Sequence, residues 1–330
     1  MTEKLSYIRV LRIIATIAVI AIHASSGYLN SINITGFDWN YANAINSFTR
    51  FSVPIFVMLS GALLLTKEEQ VGLFYKKRLS KICYPFIFWT IIYILYHMRG
   101  LDLTTDQLIS TVIYRLKNGA NAHLWYLYMI IGLYLAIPFL QKIMQHATIR
   151  EIEIFLFLWF VTLFTFNKGL PSYFPKLDLT FFSGYIGFLI LGYYLRVKDF
   201  SSYKVLSLFI FILTAVATTY FTYKESLNEG KFTPFLYGYL SPNTFIIATS
   251  LFIFIKSIAE DITLPKWALW IDDYSFGVYL CHILILNYVH PLLPVGTALK
   301  IPLAILITLF CSVLLTYILR KLPFGKYVSG

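Results

Sequence analysis

Apolar stretches long enough to cross a bilayer recur along the whole chain, and that repetition limits its fold more than any single residue does. Inside hydrocarbon every backbone group must be bonded within the protein, so such runs are expected to be α-helices. Ten are predicted, at about 7–29, 43–65, 82–98, 123–141, 151–167, 179–195, 203–222, 238–256, 273–290 and 299–320. Only 13% of residues are charged and mean hydropathy is +0.70, whereas a soluble domain carries about a quarter charged residues. No soluble domain, linker, low-complexity tract or internal repeat interrupts the pattern. The predicted class is therefore all-α, a polytopic integral membrane bundle of about ten helices forming one domain over 1–330. The first stretch opens with Arg9 and Arg12 and lacks a small-residue cleavage pattern, so it is predicted to be a retained helix rather than a signal peptide.

Basic residues stay on the cytoplasmic side during insertion. With the N-terminus inside, the inner segments hold eighteen Lys and Arg, Lys4 among them, and the outer segments only eight, including Lys168 and Lys176. Both termini inside is the orientation this bias predicts. The net charge of +11 then reflects topology and attraction to anionic lipid headgroups. A nucleic-acid partner is not expected, because the basic residues are scattered over many short loops. Cys83, Cys281 and Cys311 lie in apolar segments without paired spacing, as packed thiols would. The six histidines show no ligand spacing, so no metal is expected. Neither a glycine-rich phosphate loop nor a G-x-S-x-G elbow is present. Within the outer segment 99–122, Leu108, Ile109, Val112, Ile113 and Leu116 share one helical face and predict a short interfacial helix.

Ionisable groups in hydrocarbon are costly and therefore candidates for function. Arg12 and His23 are eleven residues apart in the first stretch, which puts them near one helical face with roughly 16 Å between them. Arg50 lies in the outer half of the second, one turn from Asn46, with Pro54 expected to kink the helix just below. Two readings of Arg50 are open: a site residue, or a side chain reaching the outer headgroups. Ser60-Gly61-Ala62 is a small-residue patch suited to helix packing or to a substrate passage.

The inner segment closes with Lys76-Lys77-Arg78-Leu79-Ser80-Lys81. It reads either as a membrane anchor or as a phosphate site, with Arg78 and Lys81 sharing one face at i and i+3. At the predicted outer interface the fourth stretch opens with His123, and Trp125, Tyr126 and Tyr128 read as an aromatic belt or a carbohydrate platform. In the ninth stretch Ser275, Tyr279 and His282 fall on one face, where His282 either approaches His23 or makes an interhelical hydrogen bond.

The ordered set Arg12-x10-His23, Arg50-Phe-Ser-Val-Pro-Ile-Phe-Val-Met-Leu-Ser60-Gly61, Arg78-x-x-Lys81-x-x-x-Pro85, His123-Leu-Trp125-Tyr126 and Ser275-Phe-Gly277-Val-Tyr279-Leu-Cys-His282 resembles the membrane acyltransferase 3 family. The layout is most similar to its stand-alone branch, which resembles enterobacterial common antigen O-acetyltransferase. The resemblance implies a bacterial inner-membrane enzyme that takes acetyl from cytoplasmic acetyl-CoA. The acceptor implied is a hydroxyl of a surface glycan or a lipid-linked saccharide. Acetyl-CoA is the donor, and no permanently bound cofactor is implied.

Carried onto this chain, the resemblance casts His23 as general base and Arg50 as the group contacting acceptor or oxyanion. Arg12, Arg78 and Lys81 become donor-binding, and Asn46, His123, Trp125, Tyr126, Tyr279 and His282 acceptor-binding. A transient acetyl-histidine is an open alternative to base catalysis. Three positions depart from the family pattern: Arg9 stands where an acidic residue is common, Lys81 replaces an arginine, and Ile130 replaces a glutamate. The competing classes are a glycan or glycolipid exporter lined by the intramembrane charges, and a membrane-embedded partner of a polymerase.

Overall fold

The computed structural model describes residues 5–31, 33–102, 104–165 and 179–329, and among these every regular element is helical. Lys4, Lys168 and Lys176 lie outside the described residues. The N-terminal helix α1 runs Ser6–Ser26 and is followed by α2 (Phe37–Thr49) and α3 (Ser52–Leu64). These last two form one span broken at Arg50 and Phe51. The cause is Pro54, which has no N–H to donate to the carbonyl of Arg50. Next come α4 (Val71–Met98), α5 (Thr105–Asn118), α6 (Trp125–His146) and α7 (Ile149–Thr165). The remainder comprises α8 (Ile186–Val197), α9 (Lys204–Glu229), α10 (Pro242–Ala259), α11 (Lys266–Val289), α12 (Thr297–Lys321) and the short α13 (Gly325–Val328).

Eight helical segments among the described residues are long and apolar enough to cross a membrane, against the ten predicted. The difference falls on the fifth and sixth stretches. The fifth corresponds to α7, of which 17 residues are described, Arg150, Glu151 and Glu153 among them; residues 166 and 167 of the predicted stretch lie outside the described residues. The sixth yields only the 12 residues of α8, preceded by a 3-10 turn at Thr180–Phe182 and by Gly184 at φ +83°. Twelve residues rise roughly 18 Å, short of a hydrocarbon core of about 30 Å. Hydropathy alone does not register the backbone turn that Ser183-Gly184 makes inside this apolar run.

Three helices also begin well before their predicted starts, α2 among them at Phe37 instead of 43. The first turns of α4 hold Lys76 to Lys81 on a helix rather than in a loop, and α11 starts at Lys266. Charged residues lower hydropathy at a helix end but cost little where the end reaches headgroups or water. The predicted interfacial helix forms as α5, capped by Thr104 and Gln107 in a reciprocal capping box. None of its side chains is buried.

Packing is closest between α3 and α8. A Cβ on Gly61 would lie 1.7 Å from the carbonyl oxygen of Leu189, and one on Gly192 would lie 1.9 Å from that of Met58. Gly61 is thus a packing position, as small residues permit between membrane helices. At the end of the bundle that carries the basic residues, both ends of the chain converge on Asp272 and Asp273. Arg12 donates to Asp272 at 2.5 Å, Arg9 lies 3.6 Å from it, and Arg320 donates to the Asp273 carbonyl at 2.9 Å. Trp89 on α4 donates to the carbonyl of Val328 at 3.0 Å and holds α13 against the bundle.

Candidate active site

Five helices, α1, α3, α4, α6 and α11, leave a cavity of about 450 Å³ toward the basic end. Arg12 enters it from α1, Ser60 from α3, Arg78 and Lys81 from α4, and Tyr134 from α6. The i, i+3 spacing of Arg78 and Lys81 on a continuous α4 brings both onto the cavity wall. Among the described residues neither forms an ion pair, and Arg78 Nε is buried without a hydrogen-bond partner. These cations therefore face the cavity uncompensated by carboxylate. Arg12 differs, because its Nη1 is tied to Asp272, whose side chain is 4% exposed. Ile130 lines the same cavity.

Beyond this cavity lies a smaller chamber of about 50 Å³, walled by His23, His123, Trp125 and Tyr239, with Val19 and Val53 as apolar lining. Tyr126 and Tyr279 line both spaces and stand between them, their ring centres 5.3 Å apart. The Tyr279 hydroxyl donates to the His123 carbonyl, which fixes that ring. His23, His123 and His282 form a cluster with ring centres 5.2 Å (His23 to His282), 5.1 Å (His123 to His282) and 6.4 Å (His23 to His123) apart. His282 Nδ1 lies 2.7 Å from the Tyr279 carbonyl and 3.2 Å from that of Val278, while its buried Nε2 has no partner among the described residues. A carbonyl only accepts, so Nδ1 carries the proton and Nε2 presents a lone pair. No group of three His, Cys, Asp or Glu among the described residues is arranged to hold a metal ion.

Several predicted residues take other places. His123 is 3% exposed and belongs to the buried cluster rather than to an outer surface. His282 is fully buried behind His23 and does not line the chamber. Asn46 is also fully buried: its Nδ2 bonds Ser25 at 2.5 Å and its Oδ1 accepts from Arg50 at 2.5 Å, so its amide is committed to the protein. Arg50 lines neither cavity. Its guanidinium stacks on Tyr237 at 4.1 Å and lies 5.9 Å from the ring of Tyr239, which does face the chamber. The buried aromatic stack draws the side chain inward, away from the surface. Trp125, 38% exposed, stacks on Tyr239 at 5.6 Å and marks the mouth of the chamber.

Sequence reasoning missed Asp272, Tyr239 and Tyr134. The signal for Asp272 was an acid in Trp270-Ile-Asp-Asp-Tyr274, but a helix start predicted at 273 left it in a loop. Tyr239 and Tyr134 are two of 25 tyrosines, and only the packing singles them out.

A helical bundle with buried histidines behind a cation-lined cavity is the architecture of a multi-pass membrane protein. Residues 5–317 match the acyltransferase 3 family model, described as an acyltransferase domain, and the chain belongs to that family. It is therefore an acyltransferase. Neither curated proteins nor solved structures give a significant match.

Proposed function

We propose that the protein transfers acetyl from cytoplasmic acetyl-CoA to a hydroxyl of a cell-surface glycan or its lipid-linked precursor, working in the bacterial cell membrane. One observation carries this reading: a cavity lined by Arg12, Arg78 and Lys81 meets a histidine chamber at a single boundary, Tyr126 and Tyr279. The bias of basic residues supports a cytoplasmic opening for the first space, where acetyl-CoA is found. Arg78 and Lys81, without ion-pair partners among the described residues, are donors suited to CoA phosphates, with Arg78 supplying planar guanidinium geometry and Lys81 a point charge. On the opposite side Trp125 and Tyr239 offer aromatic faces to a sugar.

His23 acts as general base. Its ring lines the chamber, and His282 behind it takes the orienting place that a carboxylate holds elsewhere. The imidazole removes the acceptor hydroxyl proton as the oxygen attacks the thioester carbonyl. The tetrahedral intermediate collapses, the C–S bond breaks, and the proton on His23 passes to the departing CoA sulfur. Tyr239, supported from behind by Arg50, is the phenol that stabilises the developing oxyanion.

The test is CoA release from acetyl-CoA by purified protein in liposomes, with and without soluble or lipid-linked glycan. His23→Ala is expected to lower turnover by roughly a hundredfold or more. Glycan crossing the bilayer without CoA release would instead identify an exporter.

A further inference from the structure

We infer that Tyr126, Tyr279 and the chamber beyond them form an acyl-length sieve that admits a two-carbon acyl group and rejects longer ones. The inference rests on the reading above and adds the size of the group transferred. The chamber, about 50 Å³, is roughly a ninth of the 450 Å³ donor cavity that opens onto it. The acyl group and the attacking hydroxyl share this smaller space, so each methylene added to the acyl chain takes room from the acceptor.

The walls give little. Tyr279 is 7% exposed, bonded through its hydroxyl to His123 and packed between the rings of His123 at 5.5 Å and His282 at 5.9 Å. Val19 and Val53, each 6% exposed, close the apolar side. Tyr126 is the adjustable member: it is half-buried and touches Phe56 at 6.2 Å, and its hydroxyl makes no hydrogen bond among the described residues. Tyr126 thus sets the aperture, and Val53 the depth.

The sieve is tested by displacement of labelled acetyl-CoA from the full-length protein in nanodiscs, using unlabelled acetyl-, propionyl- and butyryl-CoA. Each added methylene is expected to weaken displacement from wild type by about tenfold or more, within the 10–200-fold range for one methylene in a fitted pocket. Tyr126→Ala is expected to flatten that series to within roughly threefold, and Tyr126→Phe to keep it. Val53→Ala supplies a second variant of conserved fold and is expected to admit propionyl-CoA. Equal displacement by all three thioesters from wild type overturns the sieve, as does an unchanged series in folded Tyr126→Ala and Val53→Ala. Failure to retain either acetyl-CoA or free CoA overturns the donor reading itself. Retention without length discrimination overturns the sieve alone.

Discussion

The imidazole of His282 on α11 lies 5.2 Å from that of His23 on α1, with a buried Nε2 lone pair that has no hydrogen-bond partner among the described residues. An N–H of His23 is the donor this lone pair suits. His282→Phe keeps the ring volume and removes the acceptor. Turnover is expected to fall by about ten- to a hundredfold, less than for His23→Ala, while the KM for acetyl-CoA stays near wild type. Steady-state kinetics of both variants check this, and a change confined to KM counts against an orienting role.

Arg78 and Lys81 face the larger cavity without carboxylate partners among the described residues. Each alanine substitution is expected to raise the KM for acetyl-CoA about tenfold, the lower end for losing a hydrogen bond to a charged group. The effect of either substitution shrinks as ionic strength rises, because the lost term is electrostatic. Lys81→Arg restores affinity. A loss in kcat alone removes these residues from the donor site.

Asp272 is buried between Arg9 and Arg12, and Arg12 is 27% exposed. Removing one partner of a buried pair costs about 3–5 kcal/mol, and the exposure of Arg12 lowers this to about 2 kcal/mol for Arg12→Met. The double variant Arg12→Met, Asp272→Leu is expected to recover most of the thermal stability, measured as Tm in detergent, yet to stay weak in acetyl-CoA binding. Recovery of both properties would show that Arg12 serves folding only.

Backbone contact at α3 and α8 leaves no space for a methyl group at Gly61 or Gly192. Because the clashing atoms are carbonyls of Leu189 and Met58, relaxation requires the helices to separate. Either glycine changed to alanine is expected to cost about 3 kcal/mol, the upper end of ordinary overpacking. Gly132→Ala, which meets nothing within 4 Å, is the control and is expected to be neutral or stabilising by up to about 1 kcal/mol. Unfolding midpoints of the three variants check the contrast.

The spans were legible because hydrocarbon demands long apolar helices; Arg12 and His23 stand out inside one such run, whereas Arg78 and Lys81 were legible only as a pair at i and i+3 in the inner basic segment. Helix ends were less so: hydropathy falls at Lys76 and at Asp272 although the helix continues through both. Asn46 and Arg50 carried the right polarity, but whether a polar side chain meets a cavity or another side chain is decided by the partner helix. The same holds for His282, whose spacing put it on the face of Tyr279 but whose depth behind His23 comes from how α1 and α11 lie together. Tyr239 depends on the 3-10 turn Phe235–Tyr237 and the loop after it, which no periodicity announces.

The Arg12 and Asp272 pair also acts as a vertical gauge. His23 stands eleven residues beyond Arg12 on α1, and His282 ten residues beyond Asp272 on α11. At 1.5 Å per residue these climbs are roughly 16.5 and 15 Å, so pinning the feet of the two helices brings their imidazoles to one level. A slip of a single turn, about 5.4 Å, would part the rings even with every side chain intact. The alignment of the two histidines is thus set at the far end of the bundle, by a carboxylate that touches neither.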